Sequence, residues 1–234
     1  MNAVAGGGTF VTFPSLVFAG VPSVAANATS TVALFPGSFA SAWAYRRDFQ
    51  PIAGMEPRKL LPISLLGGVA GAMLLLATPQ ATFDAVIPWL LLFGTLAFAF
   101  GRQWGAALRR CGPPGPFVIA AAQLGLALYG GYFGGAVGLM MMAVWSLFGM
   151  TDVRAMNAAK TLLVGSLNCV AVAIFVIAGK VFWPQAGAMA AAAILGGYIG
   201  ARVGRTLPPA AIRVVINSVN ISMTAAFFWR RFMH

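Results

Sequence analysis

Charge is what this sequence has least of. Asp, Glu, Lys and Arg make up only 8% of its 234 residues, against about 25% in soluble domains. That is too little polar surface to cover a soluble core. With 60% hydrophobic residues and a mean hydropathy of +0.86, the chain reads as an all-α polytopic membrane protein. Its apolar stretches approach the roughly 20 residues a helix needs to cross a bilayer. They are continuous rather than alternating, which argues against a barrel.

Acids are scarcer still. Asp48, Glu56, Asp84 and Asp152 are the whole set, and all fall in loops or at span ends. Proton-coupled carriers place a carboxylate or histidine within the membrane, so coupling through carboxylates is not expected. The one histidine, His234, is the last residue. Cys111 and Cys169 lie far apart with no metal-type spacing, and no disulfide is expected between them. Metal, haem and iron–sulfur chemistry lack ligands, so no cofactor is expected. An enzyme is not expected either, since no acid, histidine or cysteine cluster falls in the spans. The start has no basic n-region and no uninterrupted apolar stretch, so no cleavable signal peptide is expected.

The net charge of +11 comes from short clusters between apolar runs: Arg46-Arg47, Arg58-Lys59, Arg109-Arg110 and Arg230-Arg231. That is the pattern membrane orientation requires and not a nucleic-acid surface.

What is present is present twice. Gly67-Gly68-x-x-Gly71-Ala72 with Pro79 recurs as Gly196-Gly197-x-x-Gly200-Ala201 with Pro208, at one offset of 129 residues. Asn27-Ala28-x-x-Thr31 recurs as Asn157-Ala158-x-x-Thr161 at an offset of 130. Gly6-Gly7-Gly8 has its counterpart in Gly134-Gly135-x-x-Gly138. Duplicated halves in a membrane protein point to a transporter with its site between them.

The spans are expected at 2–20, 24–45, 61–78 and 83–101, then at 117–149, 156–178, 184–201 and 210–229. The domains are a first repeat, 1–101, a cytoplasmic connector, 102–116, and a second repeat, 117–234. Four spans per half is an even number, so equivalent spans are expected to cross in the same direction, as parallel four-helix repeats. With the 46–60 loop in the cytoplasm, ten basic residues lie inside and four outside (Arg154, Arg202, Arg205 and Arg213). That asymmetry places both termini in the cytoplasm. The first span is about a dozen residues short: five residues precede its glycines, against 17 in the second half. Either the chain begins further upstream or the first helix is a half-helix.

Three glycines and then Pro14 should break the first span, since each glycine weakens a helix by about 1 kcal/mol. A broken helix in lipid survives only where protein or a water-filled cavity surrounds the break. The N–H groups freed at a half-helix start favour an anion. Gly6, Gly7, Gly8, Gly134, Gly135 and Gly138 are therefore candidate anion-binding positions. Close helix packing is the competing reading, and it suits Gly67-x-x-x-Gly71 and Gly196-x-x-x-Gly200. A polar helix face follows each break. Asn157, Lys160 and Thr161 share one face at i, i+3 and i+4, and Asn27 and Thr31 occupy the matching face of the other half. An intramembrane lysine with no acid nearby suggests an anionic partner, with snorkelling to the interface as its alternative.

These residues resemble the TauE/SafE family of sulfite exporters. The matching stretches are Asn2 through Phe10 with Pro14, Asn27-Ala28-Thr29, Gly130 through Gly135, Met156 through Lys160, and Gly196 through Arg202. The resemblance covers essentially the whole chain. It implies export of sulfite or organosulfur anions such as sulfoacetate across the bacterial inner membrane. In the family the first span normally continues upstream of the glycine triad. The expected function is a secondary transporter or facilitator for such an anion, multi-pass in the inner membrane, with the lipid bilayer and the substrate as partners and a homo-oligomer left open. The competing classes are a non-transporting membrane scaffold and a membrane-embedded enzyme.

Overall fold

A computed structural model describes residues 8–44, 50–52, 54–108, 115–204 and 209–233. Among these are nine helices and no named strand: α1 (Thr9–Phe18), α2 (Ser23–Ala44), α3 (Pro57–Ala77), α4 (Gln80–Leu108), α5 (Pro116–Tyr132), α6 (Val137–Leu147), α7 (Val153–Ile177), α8 (Trp183–Gly204) and α9 (Pro209–Met233). Prolines open α3, α5 and α9, where the missing N–H costs nothing. Helix α4 runs on to Leu108, through the first seven residues of the stretch expected to be a connector. Gly6 and Gly7 lie outside the described residues.

The molecule has two ends, fixed by its loops. At one, Gln50 Nε2 after α2 donates to Asp152 Oδ2 just before α7, at 3.0 Å. We call this the near end. At the other, the Phe182 N–H beyond α7 donates to Thr29 Oγ1, early in α2, at 3.1 Å. Helices α2 and α7 therefore run antiparallel, although they carry the matching Asn-Ala-x-x-Thr motifs. The same holds for α4 and α9. Thr95 faces Thr224, Trp89 packs on Phe228, and Phe227 stacks on Phe13 and meets Phe18 of α1 at a tilt. Thus α9, carrying Arg230 and Arg231, ends at the far end, opposite the 46–60 loop with which the parallel reading grouped it.

Parallel repeats would run these matching helices the same way; they run antiparallel here because 117–149 turns back on itself. Helix α5 leaves the near end beside α3 and parallel to it: Gln123 Nε2 donates to Ser64 Oγ at 2.8 Å. The chain then turns at Phe133–Ala136, and α6 comes back. Val137, Met141 and Trp145 of α6 share a core with Ile52 and Leu60 at the near end. Gly130 before the turn faces Val137 after it. The pair is a helical hairpin. Helix α6 has 11 residues, roughly 16 Å at 1.5 Å per residue. Helix α1 has ten and ends at the far end, where Ser23 meets Asp84 at the start of α4. The residues before Gly8, on which the two readings of the first span differ, lie outside the described residues.

Glycine sets the α3–α5 seam. A Cβ at Gly67 would lie 2.5 Å from Ala127 Cβ, one at Gly71 2.2 Å from the Leu128 carbonyl oxygen, and one at Gly131 2.4 Å from that of Gly68. Only glycine allows backbones this near one another. The repeat copy behaves differently: nothing lies within 4 Å of a Cβ at Gly196.

Candidate functional site

Helices α1 and α6 begin beside each other. Gly94 of α4 touches both starts: a Cβ there would lie 2.7 Å from Phe10 Cζ and 3.3 Å from Ala136 Cβ. The rings of Phe13 and Phe133 meet edge to face, with centroids 5.5 Å apart. From this common depth α1 runs to the far end and α6 to the near end. Each helix start presents N–H groups with no partner within its own helix and about half a positive charge. Two positive ends converge on one region.

The turn before α6 needs unusual backbone. Gly134 has φ +75° and Ala136 φ +59°, the left-handed region that glycine occupies freely and alanine rarely. Asn27 of α2 closes the end of α5, its Nδ2 donating to the Tyr132 carbonyl oxygen at 2.9 Å. Thr31, one turn on, donates to the Asn27 carbonyl oxygen at 2.9 Å, and its Oγ1 would lie 4.0 Å from a Cβ on Gly134. Thus Asn27, Thr31 and Gly134 come together. Gly135 does not join them as an open cradle, since a Cβ there would strike the Phe133 ring at 2.6 Å.

In the second half Lys160 lies along the first turn of α6. A Cβ on Gly138 would lie 2.9 Å from Lys160 Cδ, so the missing side chain makes room for the lysine. Lys160 is 4% exposed, and its Nζ donates to Asn157 Oδ1 at 2.7 Å. The ammonium is turned onto its own helix and not out to the interface. Thr161 spends its hydroxyl proton on the Ala158 carbonyl oxygen at 2.9 Å.

Gly8 is buried and precedes α1. Its carbonyl oxygen accepts from Thr12 Oγ1 at 3.0 Å, and Thr12 Oγ1 lies 2.6 Å from Ser30 Oγ. Sequence reading missed Thr12 as a partner of the polar face. The available signal was its place one helical turn beyond the glycines. The described carboxylates stay away from the breaks. Asp84 is bound to Ser23 and Gln80 at the far end. Asp152 caps α7 at the near end, where the N–H groups of Ala155 and Arg154 hold its carboxyl below the usual aspartate value. No group of His, Cys, Asp and Glu among the described residues could hold a metal.

Two helix starts and a buried lysine thus lie together, with no described carboxylate beside them. The family model of the sulfite exporter TauE/SafE covers residues 1–227. The chain belongs to this family. Among relatives of the TauE/SafE chain is a protein of Haemophilus influenzae named "Probable membrane transporter protein". It is 27% identical over 226 residues, covering 96% of this chain and 88% of that one. A Sinorhizobium protein, "Probable membrane transporter protein ORF9", is 27% identical over 95% of this chain and 85% of its own. The Escherichia coli K12 protein "Probable membrane transporter protein YfcA" is 27% identical over 98% and 85%. No solved structure matches. As a TauE/SafE member the chain is a helical membrane protein of a transporter family, and helices such as Pro57–Ala77 and Arg154–Ile177 have the length and hydropathy to cross a bilayer.

Proposed function

We propose that this chain is a secondary transporter or facilitator that exports sulfite or an organosulfonate across the bacterial inner membrane. The observation that carries the reading is Lys160, buried without a carboxylate beside the start of α6. Helices α1 and α6 supply backbone donors, Lys160 balances the charge, and Asn27, Asn157 and the hydroxyls of the polar faces complete the shell. A negative cell interior drives anions outward by about 2.3 kcal/mol per charge per 100 mV, so export needs no acid for coupling. Because Thr161 and Gly135 are committed locally, they support the site rather than touch the anion.

The duplication is read as inverted. With the near end in the cytoplasm, the basic residues of that side become Arg46, Arg47, Arg58, Lys59, Arg102, Arg109, Arg110, Arg154, Arg202, Arg205 and Arg213, and the far side keeps Lys180, Arg230 and Arg231. Eleven against three is a stronger inside bias than ten against four. The arginines that fitted the parallel reading worst, 202, 205 and 213, change side. Inverted halves also suit alternating access around a site between them.

The test is sulfite efflux from sealed vesicles carrying the purified protein under an inside-negative potential, against protein-free vesicles. Potential-dependent efflux supports the facilitator. Its absence for sulfite and organosulfonates alike favours a scaffold.

A further inference from the structure

The two halves treat their matching asparagines differently. Asn157 Oδ1 accepts a proton from Lys160 Nζ at 2.7 Å. Asn27, its counterpart, is 1% exposed, and its Nδ2 is held by the Tyr132 carbonyl oxygen at 2.9 Å. That bond fixes the orientation of the amide, because only the NH2 group can donate to a carbonyl. Asn27 Oδ1 therefore remains as an acceptor, and no described group donates to it. The residue three further along, where the second half has Lys160, is Ser30, too short to reach back as a lysine does and paired with Thr12 at 2.6 Å. Thr31 is turned to the Asn27 backbone carbonyl. The buried acceptor sits at the turn between α5 and α6, where Gly134 meets Thr31 and, four residues on, Gly138 meets Lys160.

We propose that Asn27 Oδ1 accepts a hydrogen bond from a protonated oxygen of the transported anion itself, so that the site selects a singly charged oxyanion bearing a hydroxyl, such as hydrogensulfite. This rests on the facilitator reading above. The unprotonated oxygens of such an ion suit Lys160 and the starts of α1 and α6, all positive. Its O–H suits Asn27 Oδ1, the buried acceptor at this turn to which no described group donates. A fully deprotonated oxyanion turns a lone pair toward Asn27 Oδ1 and leaves that oxygen unpaired, which is how a site built for a donor rejects its absence. The single lysine likewise matches one negative charge rather than two.

The probes are methylphosphonate, at a pH where it is singly charged, and methanesulfonate. They share charge and approximate shape and differ in the central atom and in one proton on oxygen. Each competes against sulfite efflux from vesicles carrying the full chain. Methylphosphonate is expected to inhibit at a concentration at least tenfold below that of methanesulfonate. Ser30→Lys, which gives Asn27 the donor that Asn157 already has, is expected to erase the preference. The wild-type comparison decides the matter if that variant does not fold. Equal competition, or none by either while sulfite still moves, overturns the proposal and leaves the facilitator standing. So does equal competition combined with a sodium requirement, which would make the acceptor a cation ligand. Failure of sulfite and both probes to move or bind overturns the facilitator reading and the proposal together.

Discussion

Thr95 and Thr224 lie hydroxyl to hydroxyl at 3.1 Å, and they are 129 residues apart. The same offset separates Gly67-Gly68 from Gly196-Gly197. Each hydroxyl also bonds the carbonyl oxygen four residues earlier, on Leu91 at 2.8 Å and on Asn220 at 2.7 Å. Matching positions that meet on antiparallel helices are what a two-fold relation between the halves produces at its axis.

That relation predicts membrane sidedness. In a background with Cys111 and Cys169 replaced by serine, cysteines at Gln50 and Thr151 should label from the same face with an impermeant maleimide. A cysteine at Lys180 should label from the other. Labelling of Thr151 and Lys180 from one face would restore the parallel arrangement.

Lys160→Gln should keep the fold and lower sulfite efflux by at least tenfold. The glutamine is one atom shorter but keeps a donor toward Asn157, and it loses the charge. Efflux measured alongside thermal stability in detergent separates the two effects, and unchanged efflux would remove Lys160 from the mechanism.

Gly138→Ala tests the lysine through its neighbour. The new methyl meets the flexible Lys160 Cδ at 2.9 Å, so the side chain can shift and the fold should lose no more than about 1 kcal/mol. Efflux should fall more than stability does. Full efflux with a normal melting temperature would show that the position of Lys160 is not critical.

Gly67 and Gly196 share a motif and should answer oppositely to alanine. At Gly67 the methyl strikes Ala127 at 2.5 Å on a packed seam, which should cost about 1–3 kcal/mol. At Gly196 the space is open, and the helix should gain roughly 1 kcal/mol. Melting temperatures of the two variants check this directly.

Asp152 gives a pH dependence. The Ala155 and Arg154 N–H groups lower its pKa in the fold, so it contributes stability above its unfolded value of about 3.9. That contribution disappears as pH falls through the lowered folded value. Asp152→Ala should therefore be less stable than the parent at neutral pH. The gap should close in acid below the folded value, and a gap that persists there would assign the effect to packing.

Much of the site was legible because its signals are local. Glycine at 134, 135 and 138 weakens helix wherever it occurs, and the break fell at Phe133–Ala136 as read. Asn27, Thr31, Asn157 and Lys160 showed themselves as polar residues on apolar helices, and the structure places the first two against Gly134 and sets Lys160 against Gly138. Gly135 and Thr161 carried the same local signal, yet a neighbouring ring and a backbone carbonyl absorb them. Those partners lie in three dimensions, and periodicity cannot name them.

By itself the sequence determined the class and the helix break before α6, because hydropathy and glycine act over a few residues. It could not determine where the chain goes after a break. Helix α6 is apolar in either direction, and its return to the near end is decided by Val137, Met141 and Trp145 packing on Ile52 and Leu60. That one contact surface changes the parity of the second half, turns α7 against α2, and puts Arg230 and Arg231 at the far end. Only the tertiary structure decided it, because the direction of a half-helix is fixed by what it buries against and not by what it is made of.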